Sequence, residues 1–221
     1  MADSVTVLLE KADEGVEEIR GRYEANLLAQ QVSGELLYAV RNVVQDVQSA
    51  LDWTATAVKH MYYPGSKWRP YYPLTKDPAR FAGEMEKQIK GLAADHPTIA
   101  AAFERHQPYQ PEQTTLGYLH ALAKVNKHQD FTPQIRTERQ AIRQAYTGAI
   151  VENDDQGKVR IGPTDGSTNT ILDGTPPLRT QRLIYVDWRF ADPPVSVLST
   201  LEDLVRLARA AVEDIRREAK L

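Results

Sequence analysis

Residues 35–58 read ELLYAVRNVVQDVQSALDWTATAV. Leu36, Val40, Val43, Val44, Val47, Leu51, Ala55 and Val58 recur at helical spacing, so one face of a long helix is apolar and must be buried. Beside that stripe Arg41, Gln45, Gln48 and Asp52 step along the same helix as a continuous polar ridge. Trp53 projects about 220° from the apolar centre, on the side of Asn42 and Asp46. Either a second layer covers it or it marks an interface, and a symmetric homodimer is the commonest assembly that would do so.

Working outward, Leu8, Ala12, Val16, Ile19, Tyr23 and Leu27 trace a first helix from Val5 to about Gln30, with a break or close contact at Gly34. YYPGSKWRPYYPL, 62–74, holds three prolines and a glycine and is a loop. Asp77 followed by Pro78 is a helix start, a capping carboxylate before a residue whose missing N–H costs nothing there. Two more helices are predicted, Pro97 to about Arg105 and Pro111 to about Gln129. From 132 to 192 the texture changes to short β-prone runs between turn sequences, ENDDQGK, GPTDGS and LDGTPP. In RLIYVDWRF, Ile184, Val186, Trp188 and Phe190 alternate with Leu183, Tyr185, Asp187 and Arg189, as a half-buried strand requires. Ser199 to Glu202 reads as a capping box opening a last amphipathic helix through Leu201, Leu204, Val205, Ala208, Val212 and Ile215. The expected fold is α+β: a bundle of about five to six helices with a small antiparallel β-meander before the C-terminal helix. Its segments are a helical bundle at 1–131, a β insertion at 132–192, and a closing helix at 193–221 that docks on the bundle.

Composition narrows the function classes. The 221 residues are 42% hydrophobic and 26% charged, with net charge −3, values of a globular chain with a real core and no general attraction to nucleic acid or acidic membranes. No cysteine is present, which removes disulfides, thiol nucleophiles and cysteine-ligated zinc together. The N-terminal sequence lacks a basic segment before its short apolar run, and no run nears the roughly 20 residues that span a bilayer, so a cytoplasmic protein is expected. No HExxH or ligand-loop spacing points to a metal, and Walker, dinucleotide and nucleophile-elbow motifs are absent, so no metal or cofactor is expected. Neither is there a motif for reading DNA sequence.

The helix ending at LHALAKVNKHQ, 119–129, poses the chemical question. At about 100° per residue Asn126 lies near the middle of the face centred on Leu119, Leu122 and Tyr118, while Lys127 points away and His128 sits at the boundary. A polar amide on a core face costs about 1–3 kcal/mol unless hydrogen-bonded. Asp52 and Gln48 on the polar ridge are the expected partners of Asn126. Taken together, ELLYAVRNVVQDVQSALDW, QPYQ and LHALAKVNKHQ resemble a group of mostly uncharacterised bacterial and phage proteins with a HEPN-type helical bundle. The matching positions are Ser49 to Asp52, Pro108 and Tyr109, and Lys127 and His128. Gln48, Asn126 and Gln129 replace charged residues of that pattern, which removes charge from the cluster.

The resemblance implies two roles. HEPN-type ribonucleases carry an arginine a few residues before a histidine, the one gripping phosphate and the other transferring protons. None of His60, His96, His106, His120 or His128 has an arginine at that spacing, so a metal-independent ribonuclease would have to assemble Arg41, Lys127 and His128 from separate helices. The other role is a non-enzymatic module that binds protein or RNA. Its candidate surface is the loop that sets Tyr62, Tyr63, Trp68, Tyr71 and Tyr72 among Lys67 and Arg69, since aromatic faces beside cations stack bases and hold phosphates. A third reading, a structural or assembly protein, uses the same aromatics to cover a bundle end or a partner chain.

Overall fold

A computed structural model describes residues 3–29, 32–65, 68–128, 134–144, 150–153, 159–162 and 180–221. Within them, the side chains of 24–29, 124–128, 135–144, 150–153, 159–162 and 180–187 lie outside the description. The chain divides into two compact units, 1–133 with 190–221, and 134–189.

The first unit is a helical bundle. The stripe at 35–58 folds as α2, Gly34–Tyr62, with Ser33 capping its first turn by accepting from Leu36 N at 3.2 Å. All eight stripe residues are buried, while Trp53 on the other side is 45% exposed. Preceding it is α1, Ser4–Ala29, which buries Ala12, Val16 and Ile19 of its expected stripe together with Val5 and Leu9, while Leu8 and Tyr23 are only half-buried and the Leu27 side chain lies outside the description. The other helices are α3 (Pro78–Gln88), α4 (Leu92–Asp95), α5 (Pro97–Arg105), α6 (Leu116–His128) and α7 (Val197–Ala219). The last of these packs on α1, α2 and α5.

Polar contacts show how these helices run. Along α1 and α7 the ion pairs are Asp3 with Arg216, Asp13 with Arg209, and Arg20 with Glu202, so rising numbers meet falling ones and the helices are antiparallel. Tyr62 at the end of α2 donates to the Ala219 carbonyl at the end of α7, 3.0 Å away, which makes those two parallel. The ion pairs are largely exposed and worth little singly. The buried apolar faces carry the stability, and the pairs select among registers.

Three expectations need correction. The helix predicted from Pro111 begins at Leu116, because 106–115 form successive three-residue turns, among them Gln110 N to Gln107 O at 2.9 Å and Gln113 N to Gln110 O at 3.0 Å. Its apolar stripe starts only at Leu116, so nothing earlier draws the chain into a helix. The capping box at Ser199 does not form, since α7 already starts at Val197 after Ser196, where the chain leaves a turn in which Val195 N bonds Pro193 O at 2.8 Å. One short helix, α4, was not foreseen, and it follows the left-handed Gly91 at φ 84°.

Gly15 on α1 lies close against α2, where a Cβ would stand 2.6 Å from Val43 Cγ2. Val43 is branched at Cβ and stiff in a helix, so it cannot swing aside. Gly15→Ala gains about 1 kcal/mol of helix propensity but overpacks the crossing by about 1–3 kcal/mol, and is expected to lower the melting temperature. In a Val43→Ala background the same change should raise it, a reversal of sign that thermal denaturation of the four proteins would read.

The strands are β1 (Gln134–Gln144), β2 (Ile150–Asn153), β3 (Val159–Gly162) and β4 (Thr180–Phe190), all within the second unit except Phe190, in the order β3-β2-β1-β4. β1 pairs antiparallel with β2, Ile142 opposite Val151, and β2 antiparallel with β3, Val151 opposite Ile161. Residues 163–179, which include the LDGTPP turn, lie outside the described residues.

Candidate functional site

The stretch from Trp68 to Thr75 has no helix or strand to satisfy its backbone, yet it is held firmly by side chains. Gln88 Oε1 on α3 accepts from Tyr71 N at 2.9 Å. Asp52 Oδ1 on α2 accepts from Tyr72 N at 2.8 Å. After α5, Gln107 Oε1 accepts from Thr75 N at 2.9 Å while its Nε2 donates to the Phe103 carbonyl at 2.9 Å. Gln107 is fully buried, so both halves of its amide are in use where water cannot replace them.

Packing completes the anchorage. Pro70, Tyr72 and Pro73 are buried, and the Tyr72 ring lies 5.4 Å from Phe103, which is itself fully enclosed. Burial first, and the nearby Asp214 charge second, push the Tyr72 hydroxyl well above the ordinary tyrosine range, so it stays protonated. What remains outside is a row of aromatic and cationic groups. Trp68 is 59% exposed and Tyr71 54%, and the Arg69 guanidinium sits 5.6 Å from the centre of the Trp53 ring. Trp53, Arg69 and Tyr71 line a cleft of about 240 Å³ with Ser49, Asp52, Thr56 and Pro70.

The expected binding loop therefore divides in two. Tyr62 and Tyr63 close the end of α2: the Tyr62 ring lies tilted against His96 with centroids 4.1 Å apart, and the Tyr63 hydroxyl donates to Asp95 at 2.8 Å. Burial, then that hydrogen bond, push the Tyr63 hydroxyl up to about 12. Tyr72 faces the core, and Lys67 lies outside the described residues. Trp68, Arg69 and Tyr71 face solvent, joined by Trp53 from the helix.

Of the polar constellation, Asp52 is an anchor of the loop and Gln48 keeps a buried Oε1 without a hydrogen-bond partner. Arg41 is half-buried on α2. Asn126, Lys127 and His128 occupy the last turn of α6, which packs on α2, but their side chains lie outside the described residues. The proposed pairing of Asn126 with Asp52 or Gln48, and the assembly of Arg41, Lys127 and His128, thus fall on those side chains.

Sequence spacing gives no sign of a further ionic cluster, which gathers around the buried Asp214 and His106. Asp214 on α7 accepts from Arg105 Nε at 3.0 Å, meets His106 Nε2 at 3.1 Å, and pairs with Arg217. Burial would push its carboxyl up, but the hydrogen bonds from Arg105 and His106 and their charges outweigh it and hold the group below the usual carboxylate range. Lys59, also buried, has an Nζ without a hydrogen-bond partner. Neither borders the loop cleft: Lys59 and the Asp214–His106 contact are buried in the bundle, while Arg105 and Arg217 reach its surface.

Among the described residues no three His, Asp or Glu side chains gather as a metal site, and no helix is long and apolar enough to cross a membrane. No family model, curated protein or solved structure matches the chain.

Proposed function

We propose that the chain is a catalytically reduced, HEPN-like helical bundle with an antiparallel β insertion, and that it acts by binding single-stranded RNA through the cleft between Trp53, Arg69 and Tyr71. The observation that carries this reading is the contrast within one loop. Its backbone amides are pinned by Asp52, Gln88 and Gln107, while Trp68, Arg69 and Tyr71 are left in water. Three exposed aromatic side chains, Trp53 included, on a pre-ordered support lose little freedom when a ligand stacks on them, which is what makes such a surface a binder. Base stacking is worth about 1–3 kcal/mol per aromatic, and the guanidinium over Trp53 supplies both a second planar face and a phosphate partner. Loss of charge at Gln48, Asn126 and Gln129 supports binding over cleavage.

Labelled single-stranded and structured RNAs, followed by mobility shift and by cleavage, test the reading. Wild-type protein is expected to retard single strands without cutting them, and Trp53→Ala to weaken that binding by about 5- to 150-fold with melting temperature intact. Cleavage abolished by His128→Ala would favour the ribonuclease reading instead. Absence of retardation for every RNA would remove RNA as the ligand.

A further inference from the structure

The loop cleft is not isolated. Tyr71 also lines a second cleft of about 330 Å³, bounded by Arg80, Glu84, Lys87 and Gln88 of α3 and by His120 of α6. Tyr71 therefore borders both clefts, and Gln88, whose side chain holds the Tyr71 amide, lines the second.

The charges in this second cleft are arranged asymmetrically. Its acidic groups are committed to donors of the fold: Glu84 accepts from Lys87 at 3.0 Å and Gln88 at 3.2 Å, and the neighbouring Asp77 caps α3 through Ala79 N at 3.0 Å. Burial would raise the Glu84 carboxyl, but those bonds, with the charges of Lys87 and His120, hold it below its ordinary range, so it stays an anion fixed in place. The cations reach outward, Arg80 with 81% and Lys87 with 67% of the side chain exposed. Their ion pairs to Asp77 and Glu84 are exposed surface pairs, held weakly enough to be shared with a phosphate.

Resting on the RNA-binding reading of the first cleft, we infer that the two clefts form one track for a single-stranded oligonucleotide of at least two consecutive nucleotides. One base stacks in the cleft of Trp53 and Arg69, the strand passes over Tyr71, and the following phosphates lie against Arg80 and Lys87. Aromatic platforms alternating with cations along a groove are what sequence-tolerant recognition of a single strand requires. His120 of α6 also lines this second cleft. A mononucleotide fills only the first cleft, so affinity depends on length.

The test is a titration of the full chain, read by tryptophan fluorescence, with uridine monophosphate and with uridylate chains of two, four and eight nucleotides. Wild type, Trp53→Ala and the double variant Arg80→Ala/Lys87→Ala are compared at several salt concentrations. The wild type is expected to bind the tetranucleotide at least about tenfold more tightly than the monophosphate, since two phosphate contacts are added. The double variant should bind the monophosphate within about twofold of wild type, lose the gain with length, and flatten the slope of log affinity against log salt by about 1.4 for two lost single-strand phosphate contacts. Trp53→Ala should weaken every length. If the double variant keeps the full gain with length, the second cleft is not part of the track, while binding at the first cleft stands. If wild type binds no length, the reading of the first cleft fails and the track with it. If a polyglutamate peptide competes as well as the eight-nucleotide chain, the surface reads charge alone and the inference is overturned in favour of an acidic protein partner.

Discussion

Asp214→Ala is expected to lower stability at pH 7 by about 2–4 kcal/mol, measured by chemical denaturation. The carboxylate is 12% exposed and holds Arg105 and His106 where α5 ends, together with Arg217 from its own helix. Alanine leaves the buried His106 Nε2 without a partner, deprives Arg217 of this acceptor, and leaves Arg105 only the longer ion pair to Glu218 at 3.9 Å. The loss falls short of that for a fully enclosed pair because Arg105 and Arg217 remain 50% and 69% exposed, where water replaces part of the interaction. The pH dependence follows from the direction of the shift. A carboxyl depressed in the folded state stabilises above its unfolded value near 3.9, and that contribution disappears as pH falls through the folded value. Wild-type protein should therefore lose stability steeply below about pH 4, and the alanine variant less steeply. Asp46 works in the opposite sense, since burial raises its carboxyl against the pull of Lys11, and its protonation favours the fold as pH falls. An acid limb identical in wild type and variant would show that Asp214 is not the group responsible.

Why the sequence revealed the helices and not these clusters is a matter of range. α2 was legible because its stripe repeats within one element, and every stripe residue is buried. Asp77 before Pro78 was legible because capping is local, and its side chain does accept from Ala79 N. The start of α7 was misplaced by three residues because a Ser-x-x-Glu pattern says nothing of where the preceding turn releases the chain. The loop at 62–74 could be recognised from its prolines, but its anchors stand 17, 20 and 32 residues away from the amides they hold. Nothing in local spacing distinguishes Gln88 or Gln107 from a solvated glutamine. The same holds for His106 and Asp214, 108 residues apart. Trp53 was singled out as lying off the apolar face, and it is half-exposed beside Arg69, a partner from the loop that helical geometry could not supply.

Phe103→Ala carries the largest expected effect, a loss of about 3–5 kcal/mol, because a fully enclosed ring is removed and the helices on either side can collapse only in part. The position also links stability to binding. Phe103 supports the Tyr72 ring at 5.4 Å, and its carbonyl accepts from Gln107, whose other end holds Thr75. A cavity under Tyr72 therefore loosens the support on which Tyr71 and Arg69 are presented, though Phe103 touches no ligand. Phe103→Leu keeps most of the buried volume and should cost much less, about 1 kcal/mol, with the loop still seated. Amide exchange would read the difference directly: the N–H groups of Tyr71, Tyr72 and Thr75 should remain protected in the leucine variant and exchange rapidly in the alanine variant at a temperature where both are folded. RNA affinity should follow that protection, falling in the alanine variant while Trp53 and Arg69 are unchanged, because ordering the loop then becomes a cost of binding. Equal affinity in all three proteins, with protection lost only in the alanine variant, would separate the loop from the binding surface and leave Trp53 on α2 as its sole rigid element.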